Sequence, residues 1–206
     1  MVRKTKEEAQ ETRHAILDAA ERVFQAHGVS HTSLAQIATA AGVTRGAIYW
    51  HFKNKADLFD AMIERVFDPL EAKLTEVLAR EAEDPLQMLR DLAVYFLERV
   101  AAEPCYLRVL EISWHKCEYV GGMATSRDNH LECGNRYLSI NEEAIRLAIQ
   151  RGYLSPRIVP RQAAVGVMAM VDGLVVNWTL DHKLFPLATY GTAAVDTYFA
   201  GLRATV

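Results

Sequence analysis

The 206 residues carry 23 Lys and Arg against 26 Asp and Glu, and half of the chain is hydrophobic. That length suits one domain or two modest ones with a sizeable core, and the ordinary apolar-to-charged balance excludes a disordered or collagenous chain. The charge is uneven: residues 1–55 sum to +3 and the remainder to −6, a mildly basic head on an acidic body.

Cys105, Cys117 and Cys133 are odd in number and irregular in spacing, which implies reduced thiols rather than a disulfide scaffold. The opening Met1-Val-Arg-Lys-Thr-Lys-Glu-Glu8 lacks the apolar segment of a signal peptide. The longest near-apolar stretch, Ala163–Val176, is interrupted by Asp172 and falls short of the roughly 20 residues that span a bilayer. The expectation is a soluble cytoplasmic protein with no membrane partner.

Helical periodicity recurs throughout and no alternating strand pattern appears, so the predicted fold is all-α with about nine helices. Thr5 with Glu8 caps a first helix; Ile16, Ala19, Ala20, Val23 and Phe24 form its core stripe and Gly28 ends it. Ser33 with Gln36 forms a capping box for a second helix, on which Leu34, Ile37, Ala38 and Ala41 share one face. Gly42 supplies the left-handed residue of a tight turn, and Thr44 caps a third helix whose Ile48 points inward, with Val43 and Phe52 on the core side. The outward residues Arg45, Gly46, Ala47, Tyr49, Trp50 and His51 make a poor solvent face and a good one for a DNA groove.

Asn54, with Asp57 three residues on, caps a long fourth helix bearing Leu58, Met62, Val66, Leu70, Leu74 and Val77, which Pro69 is expected to kink or interrupt. Asp84-Pro85 opens a fifth helix with Leu89, Leu92, Ala93, Phe96 and Val100, and Pro104 a sixth around Leu107–His115. Gly121-Gly122 breaks the pattern before a helix from about Met123 to Gly152. Residues 161–181 and 188–203 form the last two. The predicted division is 1–54, a three-helix helix-turn-helix DNA-binding domain, and 55–206, an effector-binding and dimerisation domain.

Residues 8–67 resemble the DNA-binding domain of the TetR family of transcriptional repressors. The run Gly42-Val-Thr-Arg-Gly-Ala-Ile-Tyr-Trp-His-Phe-Lys-Asn-Lys-Ala-Asp-Leu58 is especially similar to the AcrR-like repressors of multidrug efflux pumps. His115-Lys-Cys-Glu118 and Val171-Asp-Gly-Leu174 resemble stretches of the ligand domain in the same subgroup. The resemblance implies a homodimer on pseudo-palindromic double-stranded operator DNA, released by a small hydrophobic or aromatic effector and controlling an efflux operon linked to antibiotic resistance. A catabolic or biosynthetic operon is the alternative regulon.

Arg45 is placed for bidentate contact to guanine, Gly46 and Ala47 for close backbone approach, and Tyr49, Trp50 and His51 for phosphate and sugar. Lys55 is read as a cation for phosphate at the start of the fourth helix. Thr32, Ser33 and Thr44 are further phosphate candidates, Ser33 and Thr44 serving as caps in any case. The expected effector pocket is lined by Met88, Leu92, Phe96, Leu110, Trp114, Cys133, Tyr137, Asn141, Met168, Val171, Asp172 and Val175: flat, apolar, with few polar handles. Leu110 and Trp114 stand where similar repressors tend to have polar or smaller residues, which implies a narrower, more aromatic pocket. Asp172 reads either as a pocket carboxylate or as a structural partner across helices. The near-continuously apolar helix after Ala163 implies a dimer interface through Val165, Met168, Leu174, Trp178, Val195, Tyr198, Phe199 and Leu202.

No cofactor is implied, and neither a phosphate-binding glycine loop, a nucleophile elbow nor a paired acid signature points to an enzyme. His115, Cys117, His130 and Cys133 are the only grouping of metal-ligand residue types; their spacing completes no tetrahedral site, leaving a metal-sensing repressor as the lesser alternative.

Overall fold

The computed structural model describes residues 6–79 and 84–204, with the side chains of 73–79 outside the description. The expected contributions of Thr5 and of the Leu74 and Val77 side chains therefore lie outside the described residues. Nine α-helices and one 3-10 turn make up the regular structure, and no strand occurs among the described residues. The helices are α1 (Lys6–His27), α2 (Leu34–Ala41), α3 (Arg45–His51), α4 (Lys55–Ala79), α5 (Pro85–Ala102), α6 (Pro104–His115), α7 (Ala124–Gln150), α8 (Pro160–Leu180) and α9 (Leu187–Ala204); Gly121–Met123 is the 3-10 turn.

Local chemistry sets these boundaries. Ser33 N–H donates to Gln36 Oε1 at 2.8 Å while Gln36 N–H donates to Ser33 Oγ at 3.3 Å, a reciprocal capping box that starts α2. Gly42 ends α2 at φ +67°, a left-handed conformation that costs a β-carbon-bearing residue about 1 kcal/mol or more. Ala47 N–H donates to Thr44 Oγ1 at 3.2 Å to cap α3. At α4, Asp57 N–H donates to Asn54 Oδ1 at 2.9 Å and Lys53 N–H to Asp57 Oδ2 at 2.7 Å, a second reciprocal pair. Asp84 accepts from Leu86 and Gln87 N–H ahead of Pro85 at the first turn of α5.

The chain divides into two compact units, one of residues up to Phe67 with Arg108–His130, the other of Asp68–Leu107 with Leu131 onward. Of the two outcomes expected at Pro69, interruption does not occur: α4 runs on through it to Ala79. Its missing N–H removes only one hydrogen bond, the one that would close onto the Arg65 carbonyl. The division between units falls beside that gap.

In the first unit, α1 packs on α2 and α2 on α3. Ile16, Leu17, Ala20, Phe24, Ile37, Ile48, Leu58, Phe59 and Met62 are fully buried there. Glu21 joins them at 2% exposure, which the apolar stripe of α1 gave no reason to expect. Its carboxylate is met by the Arg65 guanidinium of α4 and, at 3.4 Å, by Arg108 of α6; Arg65 also donates to Asp18 at 2.7 Å.

In the second unit, α5 packs on α9, and α8 on α9 and α5. Gly166 lets the two last helices close: a β-carbon there would overlap the Tyr198 hydroxyl, which donates to the Ala163 carbonyl at 2.8 Å. By length and composition α8 is the one helix among the described residues that could cross a bilayer. It buries Ala164, Val167, Val171, Val175 and Trp178 against its neighbours, as the core helix of a folded domain does.

The Glu21 cluster has a measurable consequence. Removing one partner leaves a buried carboxylate undercompensated, so Arg65→Met should cost about 3 kcal/mol of stability in chemical denaturation. Adding Glu21→Leu to it should recover much of that loss, because the charge that needed the guanidinium is gone.

Candidate DNA interface and effector site

The exposed side of α3 carries the residue types that a groove-reading helix needs. Trp50 is 72% exposed and Tyr49 48%, although burial of either ring would be favourable. Arg45 lies beside them with Nη2 donating to the Tyr49 hydroxyl at 3.1 Å and its guanidinium 5.4 Å from the Tyr49 ring centre. The pair is an i, i+4 contact, so the tyrosine restrains the arginine on the helix surface. The His51 ring meets Trp50 edge-on, 4.5 Å between centres. Gly46 leaves open space, a β-carbon there meeting Thr44 Oγ1 only at 3.8 Å. Inward, Ile48 is fully buried and Phe52 nearly so, with the Arg13 guanidinium 5.3 Å from the Phe52 ring.

Of the residues expected at DNA, Ser33, Thr44, Arg45, Gly46, Tyr49 and Trp50 are exposed, and Ala47 and His51 partly so. Two point elsewhere. Thr32 is buried and its hydroxyl donates to the Gly28 carbonyl at 2.7 Å. Lys55 turns its ammonium onto the carbonyls of Val29, Ser30 and Thr32. Exposed Lys53, between α3 and α4, was missed by the sequence reading. Its position two residues after the end of α3 was the available signal.

The expected effector-site residues do not all fall in one unit. Met88, Leu92, Phe96, Cys133, Tyr137, Asn141, Met168, Val171, Asp172 and Val175 belong to the second, Leu110 and Trp114 to the first. Met88, Leu110, Val171 and Val175 are buried; the others except Asp172 are partly accessible. Two polar groups in the second unit stand out. The Tyr137 hydroxyl is buried without a hydrogen-bond partner among the described residues, and burial pushes it up to about 12. Asp172 is exposed on α8, and partial loss of hydration beside neighbouring protein moves its carboxyl above the ordinary range. Unpaired polar groups in partly desolvated positions are where a ligand's own polar atoms find partners.

The residues expected for self-association differ in exposure. Trp178, Val195 and Phe199 are buried within the chain itself, where α8 and α9 pack on each other and on α5. Met168, Leu174, Tyr198 and Leu202 are partly exposed. The exposed apolar side chains of this region are Val165, Leu180, Leu184 and Tyr190, of which only Val165 was anticipated. The reason is geometric: a helix apolar all round serves both a core and an outer surface, and periodicity does not say which side is which.

No group of three His, Cys, Asp or Glu side chains converges among the described residues. Burial raises the Cys117 thiol to about 11 and Cys133 in the same direction, away from the thiolate a metal would bind.

Residues 16–62 match the family described as bacterial regulatory proteins, tetR family, and residues 84–203 the MAATS-type transcriptional repressor, C-terminal region. The chain is 42% identical over 188 residues to the HTH-type transcriptional regulator AcrR of Shigella flexneri, covering 91% of this chain and 87% of that one. Its fold is similar to NalD, the secondary repressor of the MexAB-OprM multidrug efflux pump in Pseudomonas aeruginosa, with a TM-score of 0.88, 36% identity, and coverage of 98% and 100%. It is also similar to SmeT in complex with triclosan, with a TM-score of 0.83, 30% identity, and coverage of 93% and 91%. With the helix-turn-helix and the C-terminal helices both matched, and relatives aligned over nearly their whole length, the chain belongs to the TetR family of transcriptional regulators.

Proposed function

We propose that this protein represses a multidrug efflux operon as a homodimer on a pseudo-palindromic operator and is released by a hydrophobic or aromatic effector in the cytoplasm. The observation that carries the DNA reading is the outward set of Arg45, Tyr49 and Trp50 on α3, fixed by the Ser33 and Thr44 caps on either side of Gly42. The efflux assignment is supported by whole-length similarity to AcrR and NalD, and the effector class by SmeT, whose complex holds triclosan.

Each part of the protein has a role in this reading. Arg45, already restrained by Tyr49, enters the major groove with less side-chain entropy to lose. Tyr49, Trp50, His51, Ser33 and Thr44 lie against the backbone, where Lys53 adds a cation. Leu180, Leu184, Tyr190 and Val165 supply the self-association surface; a dimer places two recognition helices one turn of DNA apart, about 34–36 Å. Met168, Tyr137 and Asp172 contribute to the effector site, Tyr137 and Asp172 as its polar handles. Effector binding that favours a different geometry of α4 by about 1–3 kcal/mol lowers operator affinity 5–150-fold. The gap beside Pro69 gives α4 a place to bend.

The direct test is mobility shift on the DNA upstream of the gene, at fixed salt, with and without triclosan and other apolar aromatic compounds. A specific shift that some compound abolishes is expected; a specific shift that none affects would overturn ligand release. Arg45→Ala should weaken operator binding by about 1–3 kcal/mol, roughly 5–150-fold, and relax preference at a single base pair of each half-site. Tyr190→Asp should shift the protein toward monomer in sedimentation, since it places a charge on the proposed apolar contact.

Asp172→Asn separates function from stability. Because the native carboxyl is held above its ordinary range, its ionisation opposes folding once pH exceeds the unfolded value, and the penalty vanishes when both states are protonated. The substitution should therefore raise the melting temperature near pH 7, leave it unchanged near pH 3, and weaken release by effector.

A further inference from the structure

A buried hydroxyl that meets no partner costs free energy, so each one needs an explanation. Among the described residues six buried side-chain polar atoms lack a hydrogen-bond partner, and three of them belong to neighbours in the second unit: the Tyr106 hydroxyl, the Tyr137 hydroxyl and Arg99 Nε. Tyr106 stands on the first turn of α6 and is 3% exposed. The Arg99 guanidinium of α5 lies over its ring, 5.1 Å from the centre, and 5.9 Å from the centre of the Tyr95 ring, with Nη1 engaged by Glu103. Arg99 thus flanks the Tyr106 ring without meeting its hydroxyl at bonding geometry. Tyr137, on α7, is near enough that ionisation of one phenol would oppose ionisation of the other. Its ring lies 5.9 Å from the Arg136 guanidinium.

We propose that Tyr106, Tyr137 and Arg99 form an oxyanion subsite of the effector site, which takes the phenolate or carboxylate oxygen of a weakly acidic aromatic effector. This subsite rests on the effector reading given above and adds which part of such a molecule is recognised. All three groups present donors, since a guanidinium nitrogen has no acceptor capacity and a phenol that keeps its proton can donate it. Burial pushes Tyr137 up to about 12 and raises Tyr106 too, even with the Arg99 charge beside it, so both hydroxyls stay protonated where carboxylates and acidic phenols are ionised. An ionised oxygen is the acceptor such a set favours, because charge-assisted bonds are roughly twice as strong as neutral ones. Apolar lining discriminates poorly between molecules of one shape; donors left unpaired by the wrong ligand discriminate strongly. The subsite therefore separates an acidic aromatic compound from its neutral analogue.

The test compares triclosan, a phenol, with its methyl ether, which has nearly the same shape and cannot ionise. Calorimetric titration of the full-length protein is run with both compounds across a pH series that ionises the phenol, for the unsubstituted chain, for Tyr106→Phe and for the double variant Tyr106→Phe/Tyr137→Phe. The unsubstituted protein should prefer triclosan by about tenfold or more, the scale of a lost bond to a charged group, and the preference should grow as the phenol ionises. In the double variant it should fall to about twofold or less and lose its pH dependence, with Tyr106→Phe in between. Removing an unpaired hydroxyl should leave the melting temperature of the free protein unchanged or raised. A preference unaltered by the substitutions, or one that shrinks as triclosan ionises, overturns the subsite. So does a lowered melting temperature with both compounds bound as before, which would mean that ordered water already satisfies the hydroxyls. Should the double variant fail to fold, Tyr106→Phe decides alone. Binding of neither compound to the unsubstituted protein would instead overturn the effector reading for aromatic compounds of this kind, and the subsite with it.

Discussion

A carboxylate with almost no access to water organises the DNA-reading unit. Glu21 sits on the same side of α1 as the apolar stripe, and a lone ionised carboxylate there would cost several kcal/mol. It is tolerated because α4 brings Arg65 and α6 brings Arg108 to it. Apolar packing alone allows neighbouring helices to slide by a fraction of a turn with modest loss. An ion triad does not, because one displaced guanidinium strands the charge. The register of α1, α4 and Arg108 is thus set by charge, and α2 and α3 are built on α1 with that register already given.

The recognition surface shows the opposite economy. Trp50 and Tyr49 stay in water although each could bury a large apolar area, and the inward side of α3 is already filled by Ile48 and Phe52. An aromatic pair left exposed on a capped two-turn helix is a cost to the free protein that only a partner can recover. The Arg45–Tyr49 contact fits the same logic, because it restricts an arginine before the ligand arrives. Rigidity beneath and unsatisfied surface above are complementary requirements of one interface.

The features of the second unit that support the effector reading are polar rather than apolar. Its α5, α8 and α9 core is conventional, with Gly166 permitting the close approach that Tyr198 locks. Tyr137 and Asp172 depart from it: one hydroxyl, like the Trp178 indole nitrogen, without a hydrogen-bond partner among the described residues, and one carboxyl raised by lost hydration. Groups left in such states lower stability, which is the common cost of keeping a binding site ready.

Much of this was legible in the residues themselves. The Ser33–Gln36 box, the left-handed Gly42, the Thr44, Asn54 and Asp84 caps and the helical periodicities are local, each depending on residues within four positions, and so the helix-turn-helix and the all-α fold could be read directly. What depended on distant residues could not. Lys55 carries the right chemistry for phosphate, and only the fold shows that its ammonium meets carbonyls of a turn 23 to 26 residues earlier. Nothing local marks Glu21 as buried; its partners Arg65 and Arg108 stand 44 and 87 residues away and only the fold brings them beside it. Trp178, Val195 and Phe199 matched an interface by composition, yet lie inside their own chain, while Leu184 and Tyr190 face out. Sequence determines which groups are available and what local backbone they prefer; which side of a helix is covered, and which donor meets which acceptor, are decided only when helices pack, because burial and long-range pairing are properties of pairs of elements rather than of any one of them.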